Sequence, residues 1–228
     1  MLQPERNAHL LLQRRIAQRD AAFRLYAILD AESCERRGFS LHAVAVAWRD
    51  AGVRLLQYRD KRASDDAVLA NAAMVREVFA GTDAVLILND RVHLFHASRF
   101  DGVHVGQGDV PVAKVREIIG ENAALGISTH NPAQLKDADA LDVSYVAIGP
   151  VFATSTKLDA DPVVGLGGVR MARALTQKTL VAIGGINADR ASDVFTAGAD
   201  SVAVIGGLLG DKPAISAADL LRVIGSLS

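Results

Sequence analysis

Cysteine is nearly absent: Cys34 is the only one in 228 residues, so no internal disulfide can form and an intracellular, cytoplasmic setting is expected. A single thiol with no paired histidine pattern reads as a bystander, not a nucleophile. No apolar run is long enough to span a bilayer, which argues against a membrane protein. Neither sign of charge dominates, with 25 basic against 26 acidic residues and a formal net charge of -1, and this argues against a dedicated nucleic-acid binder. Zinc-like spacing is missing as well, because His93 and His96 fall on a short helix-like segment while His104 falls in a strand-like run. No linker rich in proline, glycine or serine divides the chain, and a single domain of this length is ordinary for an α/β barrel. The Met1–Asp20 segment carries four arginines but lacks a signal-peptide core, since Leu10-Leu11-Leu12 is followed at once by Gln13-Arg14-Arg15. It is expected to form an amphipathic helix from about Ala8 to Ala22, capped by Asn7 and packed on the domain, so that residues 1–23 are a helical extension and 24–228 the catalytic domain.

What is present is a repeated alternation. Half of the residues are hydrophobic, and eight short apolar runs stand out: Leu25–Leu29, Val53–Tyr58, Ala84–Leu88, Gly102–Val105, Ala124–Ile127, Tyr145–Ile148, Leu180–Ile183 and Val202–Ile205. Several are apolar on successive residues, as parallel strands buried on both faces must be. Helix-like segments separate them, at 40–51, 65–80, 112–119, 132–138, 168–176, 188–197 and 217–224, with 91–98 serving as a short one. Eight strand–helix alternations predict a (β/α)8 TIM barrel. The competing fold, an open doubly wound sheet, is disfavoured because Leu29-Asp30-Ala31-Glu32 stands where a G-x-G-x-x-G turn would follow the first strand.

Polar or glycine tips follow almost every strand, and a closed barrel aims all of them at one mouth. Gln57, Arg59 and Lys61 share a side by alternation, and two cations beside an amide suit a polyanion. Asn89-Asp90 and Asp109 follow the third and fourth strands. Two aspartates on one rim can hold Mg2+ together with phosphate oxygens, or each can cap the next helix. Ser128-Thr129-His130-Asn131 either caps a helix or faces a ligand, with His130 read as a cap-region or supporting residue. Thr154, Thr156 and Lys157 follow Gly149 as an anion-holding segment, and 158–162 read as a mobile loop. Gly184-Gly185 and Gly206-Gly207 after the last two strands match the usual phosphate position of such barrels.

Together these pieces resemble the thiamine-phosphate synthase family. The segments that carry the likeness are Gln57-Tyr58-Arg59-Asp60-Lys61, Asn89-Asp90-Arg91, 101–109, Gly126-Ile127-Ser128-Thr129-His130, 148–157 and Ala182-Ile183-Gly184-Gly185-Ile186, spanning about Arg24 to Gly207. The resemblance implies a transferase that joins a pyrimidine methyl diphosphate to a thiazole ethyl phosphate and releases pyrophosphate with Mg2+ as cofactor. It implies that Gln57, Arg59, Lys61 and Asn89 bind the diphosphate, that Asp90 and Asp109 hold Mg2+, and that Ser128 contacts the pyrimidine. Thr154 and Thr156 would lie near the thiazole phosphate, Lys157 near the departing pyrophosphate, and Gly185, Ile205 and Gly206 at the phosphate cradle. Arg59, Lys61, Lys157 and Ser128 are the expected catalytic set. Two departures stand out: Tyr58 where leucine is common, and Gly206 where a serine often donates a hydroxyl. A related thiazole tautomerase and a non-catalytic phosphate-ligand sensor are the alternatives, and neither needs the combined cations and aspartates. Small-molecule partners are expected, with oligomeric state, a homo-oligomer included, left open.

Overall fold

The computed structural model describes residues 6–154 and 162–227. Eight parallel strands close into a barrel in chain order: β1 (Leu25–Asp30), β2 (Leu55–Arg59), β3 (Val85–Asn89), β4 (Gly102–Val105), β5 (Ala124–Thr129), β6 (Tyr145–Ile148), β7 (Thr179–Ile183) and β8 (Ser201–Val204). The seam is closed by β8 against β1, with Tyr26 opposite Ala203. The fold is the (β/α)8 barrel that the alternation predicts.

The helices are α1 (Ala8–Ala17), α2 (Ala21–Arg24), α3 (Ala31–Arg36), α4 (Leu41–Ala51), α5 (Asp65–Val78), α6 (Phe95–Ser98), α7 (Val112–Ile119), α8 (Pro132–Asp139), α9 (Gly165–Leu175), α10 (Ala188–Thr196) and α11 (Pro213–Gly225). Single 3-10 turns stand at Val92–Leu94 and Gly206–Leu208. The strand period of two separates the side chains into two cores. Leu25, Ala27 and Leu29 of β1 point outward into the layer shared with the helices, whereas Tyr26 and Ile28 point into the barrel beside Leu55, Ile87, Tyr145, Val181 and Ala203. Gly126 is required by this interior: a Cβ there would lie 2.0 Å from Cζ of Tyr145, so its missing side chain is the space the phenol occupies. Tyr58, the departure noted above, faces outward, where its hydroxyl accepts from Asn71 Nδ2 at 2.9 Å.

The N-terminal segment differs from the single helix expected. It breaks after Ala17, passes through Arg19 at φ +58°, and restarts as α2 under Asp20, whose carboxylate accepts from the Ala22 N–H. A strong capping residue inside the run ends one helix and starts another. Asn7 does cap α1, accepting from Leu10 N at 2.8 Å. The partner surface of α1 is the floor of the barrel: Ala8, Leu12 and Ile16, four apart on one face, are buried with the inward residues of the strands. His9 N–H donates to Asn122 O at 3.0 Å and its Nδ1 meets Ser144 Oγ at 2.8 Å, both just before β5 and β6. A second difference is α3, which the sequence reading passes over; Asp30 caps it through Ser33 N at 2.8 Å. α11 also starts earlier than expected, at Pro213, where proline suits a first helical turn.

If α1 is an integral floor, Leu12→Ala lowers the unfolding free energy by about 2–5 kcal/mol, as large-to-small changes in a core do. Urea denaturation measures this. A loss within about 0.5 kcal/mol, the range of surface changes, would mean that the helix does not seal the barrel.

Candidate active site

The C-terminal ends of the strands open into a cavity of about 720 Å3, within the size range of small-molecule sites. Every described residue singled out from the sequence lines it: Gln57, Arg59, Lys61, Asn89, Asp90, Asp109, Ser128, Thr154, Gly185, Ile205 and Gly206. Thr156, Lys157 and nearly all of the loop read at 158–162 lie outside the described residues.

The register explains the convergence. Asp30 and Arg59 are paired neighbours at the ends of β1 and β2, and Arg59 Nη1 donates to the fully buried Asp30 carboxylate. That ion pair holds the guanidinium at the rim while Asp30 also caps α3. Lys61 lies two residues beyond β2 and reaches Asp90, with 3.3 Å between Nζ and Oδ2. On the adjacent ends, Asn89 of β3 pairs with His104 of β4, and Asp90 N–H donates to His104 O at 2.9 Å. Asp90 takes φ +57°, an uncommon conformation for any residue but glycine, although Asp and Asn adopt it most readily. Asp109 Oδ2 accepts from Gly106 N–H at 2.7 Å, turning the loop after β4 back over the mouth.

Neither aspartate caps a helix by its side chain. Pro111 is the N-cap of α7 and Arg91 that of the turn after β3, with no side-chain cap bond at either. The two carboxylates instead lie near enough to repel each other. The Asp90 carboxyl is raised above its ordinary value, first by burial, against the pull of Lys61 and with the repulsion of Asp109 added. Two repelling carboxylates are the donor set that Mg2+ accepts when phosphate oxygens and waters complete its shell. No group of three or more His, Cys, Asp or Glu side chains among the described residues could hold a metal, so an all-protein cage is absent there.

Ser128 is not a cap either. Asn131 caps α8, accepting from Gln134 N at 3.0 Å, and Ser128 Oγ meets His104 Nε2 at 2.8 Å inside the barrel. His130, read above as a cap-region or supporting residue, also lines the cavity, its Nδ1 2.8 Å from Gly149 O. Gln57 is turned into the barrel: its Nε2 donates to the Tyr26 hydroxyl at 2.7 Å. Gly185, at φ +64°, lies so near Phe152 and Ala153 that a Cβ would come within 2.7 Å of the Ala153 carbonyl oxygen, and Gly206 starts the 3-10 turn after β8. Cys34 is buried, its thiol pushed up to about 11 chiefly by burial, which leaves it unreactive.

Several residues were not marked in the sequence. Arg37 lines the cavity, held by the Leu209 carbonyl, and Asp30 anchors Arg59. Tyr26, Tyr145 and His104 form a buried polar group inside the barrel, and Tyr26 and His104 line the cavity. An inward alternation signals that Tyr26 and Tyr145 enter the barrel, but nothing local signals that they meet.

A family model described as thiamine monophosphate synthase matches residues 25–208. The thiamine-phosphate synthase of Koribacter versatilis is 45% identical over 205 residues, covering 89% of this chain and 96% of its own length. That of Chloroflexus aurantiacus is 41% identical over 206 residues, covering 90% and 94%. The solved structure of thiamine phosphate pyrophosphorylase from Pyrococcus furiosus superposes with a TM-score of 0.80 at 27% identity, over 92% of this chain and 98% of that one. No described helix is long and apolar enough to cross a membrane.

The raised Asp90 carboxyl has a consequence for stability. A carboxyl that binds its proton more tightly folded than unfolded makes stability fall as pH rises from the ordinary aspartate value through the raised one. In metal-free buffer at pH 7, Asp90→Asn therefore unfolds at a higher temperature than the parent, and the gain shrinks toward pH 3. Thermal melts at the two pH values measure this; a variant that melts lower at pH 7 would mean that Asp90 stabilises the fold as a charge.

Proposed function

The chain belongs to the thiamine monophosphate synthase family of transferases, and on that premise we propose that it couples 4-amino-2-methyl-5-pyrimidinylmethyl diphosphate to thiazole ethyl phosphate, releasing pyrophosphate. The observation that carries this reading is the gathering of Arg59, Lys61, Asn89, Asp90, Asp109 and Ser128 around one cavity.

In the proposed reaction the bond between the pyrimidine methylene carbon and the diphosphate oxygen breaks, and both electrons leave with pyrophosphate. The electron-rich aminopyrimidine delocalises the positive charge left on carbon. The thiazole nitrogen then supplies its lone pair to form the new C–N bond. No proton needs to be removed to make the nucleophile, which agrees with a site that has charge-bearing and hydrogen-bonding groups but no Ser-His-Asp arrangement among its described lining. Arg59, Lys61 and Asn89 are assigned to the diphosphate, with Lys157 joining them as it departs. Gln57 is assigned to the ring side, a departure from the role that the resemblance implies, because its amide donates to the Tyr26 hydroxyl inside the barrel. Asp90 and Asp109 would hold Mg2+, which would supply charge neutralisation for the leaving diphosphate. Thr154, Thr156 and Gly185 serve the thiazole phosphate, and at Gly206 backbone N–H groups replace the missing hydroxyl. Positioning and preorganised charge supply the rate enhancement.

The test is pyrophosphate release with each substrate omitted in turn, with and without Mg2+. Release is expected only with both substrates and Mg2+ present. Asp90→Asn and Lys157→Ala should each lower turnover about 10²–10³-fold, as losing one preorganised charge-stabilising donor does elsewhere. Near-normal release by both variants would refute their assigned roles.

A further inference from the structure

Five buried or half-buried side chains form a continuous hydrogen-bonded row through the barrel. Gln57 Nε2 lies 2.7 Å from the Tyr26 hydroxyl, which lies 2.7 Å from the Tyr145 hydroxyl. The Tyr145 hydroxyl lies 3.0 Å from His104 Nδ1, and His104 Nε2 lies 2.8 Å from Ser128 Oγ. The row joins β1, β2, β4, β5 and β6; its ends, Gln57 and Ser128, line the cavity, as do Tyr26 and His104 between them. Packing fixes its middle: the Tyr26 and Tyr145 rings meet edge-to-face at 5.7 Å, and His104 stacks on Tyr145 at 5.6 Å.

The inventory of protons gives the row one direction. An amide nitrogen only donates, and each phenol has a single proton. Tyr26 accepts from Gln57, so its own proton goes to Tyr145. Tyr145 then gives its proton to His104 Nδ1, which must be bare. A neutral imidazole carries its proton on the other nitrogen, and Nε2–H donates to Ser128 Oγ. Ser128, already an acceptor, has its own proton left for the cavity.

We propose that Tyr26, Tyr145 and His104 are positioning residues that hold the Ser128 hydroxyl as a donor toward a ring-nitrogen acceptor of the substrate, in a direction set at Gln57. The substrate part rests on the synthase reading above. A pyrimidine ring nitrogen accepts hydrogen bonds and offers none, so a Ser128 hydroxyl committed to His104 would meet it lone pair to lone pair. Turning the Gln57 amide over would produce that mismatch: every link would reverse, His104 would carry its proton on Nδ1, and Ser128 would donate to His104.

Nitrogen-15 NMR of the histidine-labelled full-length chain reads the direction without any substrate, with His104→Asn identifying the signal. Neutral His104 protonated on Nε2 is expected, and protonation on Nδ1 would overturn the proposal. Tyr145→Phe removes the central hydroxyl and should leave His104 as a mixture of tautomers. It should also raise KM for the pyrimidine diphosphate about tenfold, the worth of one strong net hydrogen bond, while KM for the thiazole phosphate stays put. An unchanged pyrimidine KM, or equal rises in both, would also overturn the proposal, since neither separates polarity from general packing. If the parent chain releases no pyrophosphate, the synthase reading fails while the tautomer still decides which way the row runs.

Discussion

Two carboxylates forced together at the mouth of the barrel are the constraint around which the site is arranged. Water would keep Asp90 and Asp109 apart, but the fold does not allow it. Asp90 is tied by its backbone to β4 at His104 and bent through φ +57°, and Asp109 is turned inward by the Gly106 N–H. Lys61 offsets part of the repulsion at 3.3 Å, and the Asp90 carboxyl remains raised. A polar pair held in an unfavourable arrangement by rigid strand ends is what strain at a functional site looks like. On the reading proposed here, a divalent cation relieves that strain only when phosphate oxygens arrive with it.

The two ends of the barrel do different work. Leu12 and Ile16 of α1 close the floor with apolar contact, and the inward residues above them are mainly aliphatic. Polarity begins midway, with the Tyr26–Tyr145 pair, and ends in charge at the rim, with Arg37, Arg59 and Lys61 among the carboxylates. A ligand with an apolar ring and a charged tail finds both environments along one axis. In the proposed reaction the flat ring would lie toward Tyr26 and Ser128, and the anion among the cations.

Much of this was legible in the chain. Strands buried on both faces announce themselves as apolar runs, and their polar tips are short-range features, so the barrel and most of the described rim residues, though not Arg37, could be read directly. Tyr58 could be turned outward from alternation alone, and it packs there. Contacts that depend on distant parts of the chain could not be read. Tyr26 and Tyr145 are 119 residues apart and meet only because the barrel closes around them, and Asp30 and Arg59, 29 apart, only because the β1–β2 register sets them side by side. The break at Arg19 was hidden for another reason: Asp20 suits a helix face as well as a cap, and packing against the barrel floor decides between them.

Binding of inorganic pyrophosphate by isothermal titration calorimetry, with and without Mg2+, tests most directly whether carboxylates and cations serve one bound group. Two ligands that share a site must tighten each other reciprocally. Pyrophosphate is expected to bind roughly tenfold or more tightly when Mg2+ is present, a coupling lost in Asp109→Asn. Equal affinity in the presence and absence of Mg2+ would contradict a shared metal–diphosphate site.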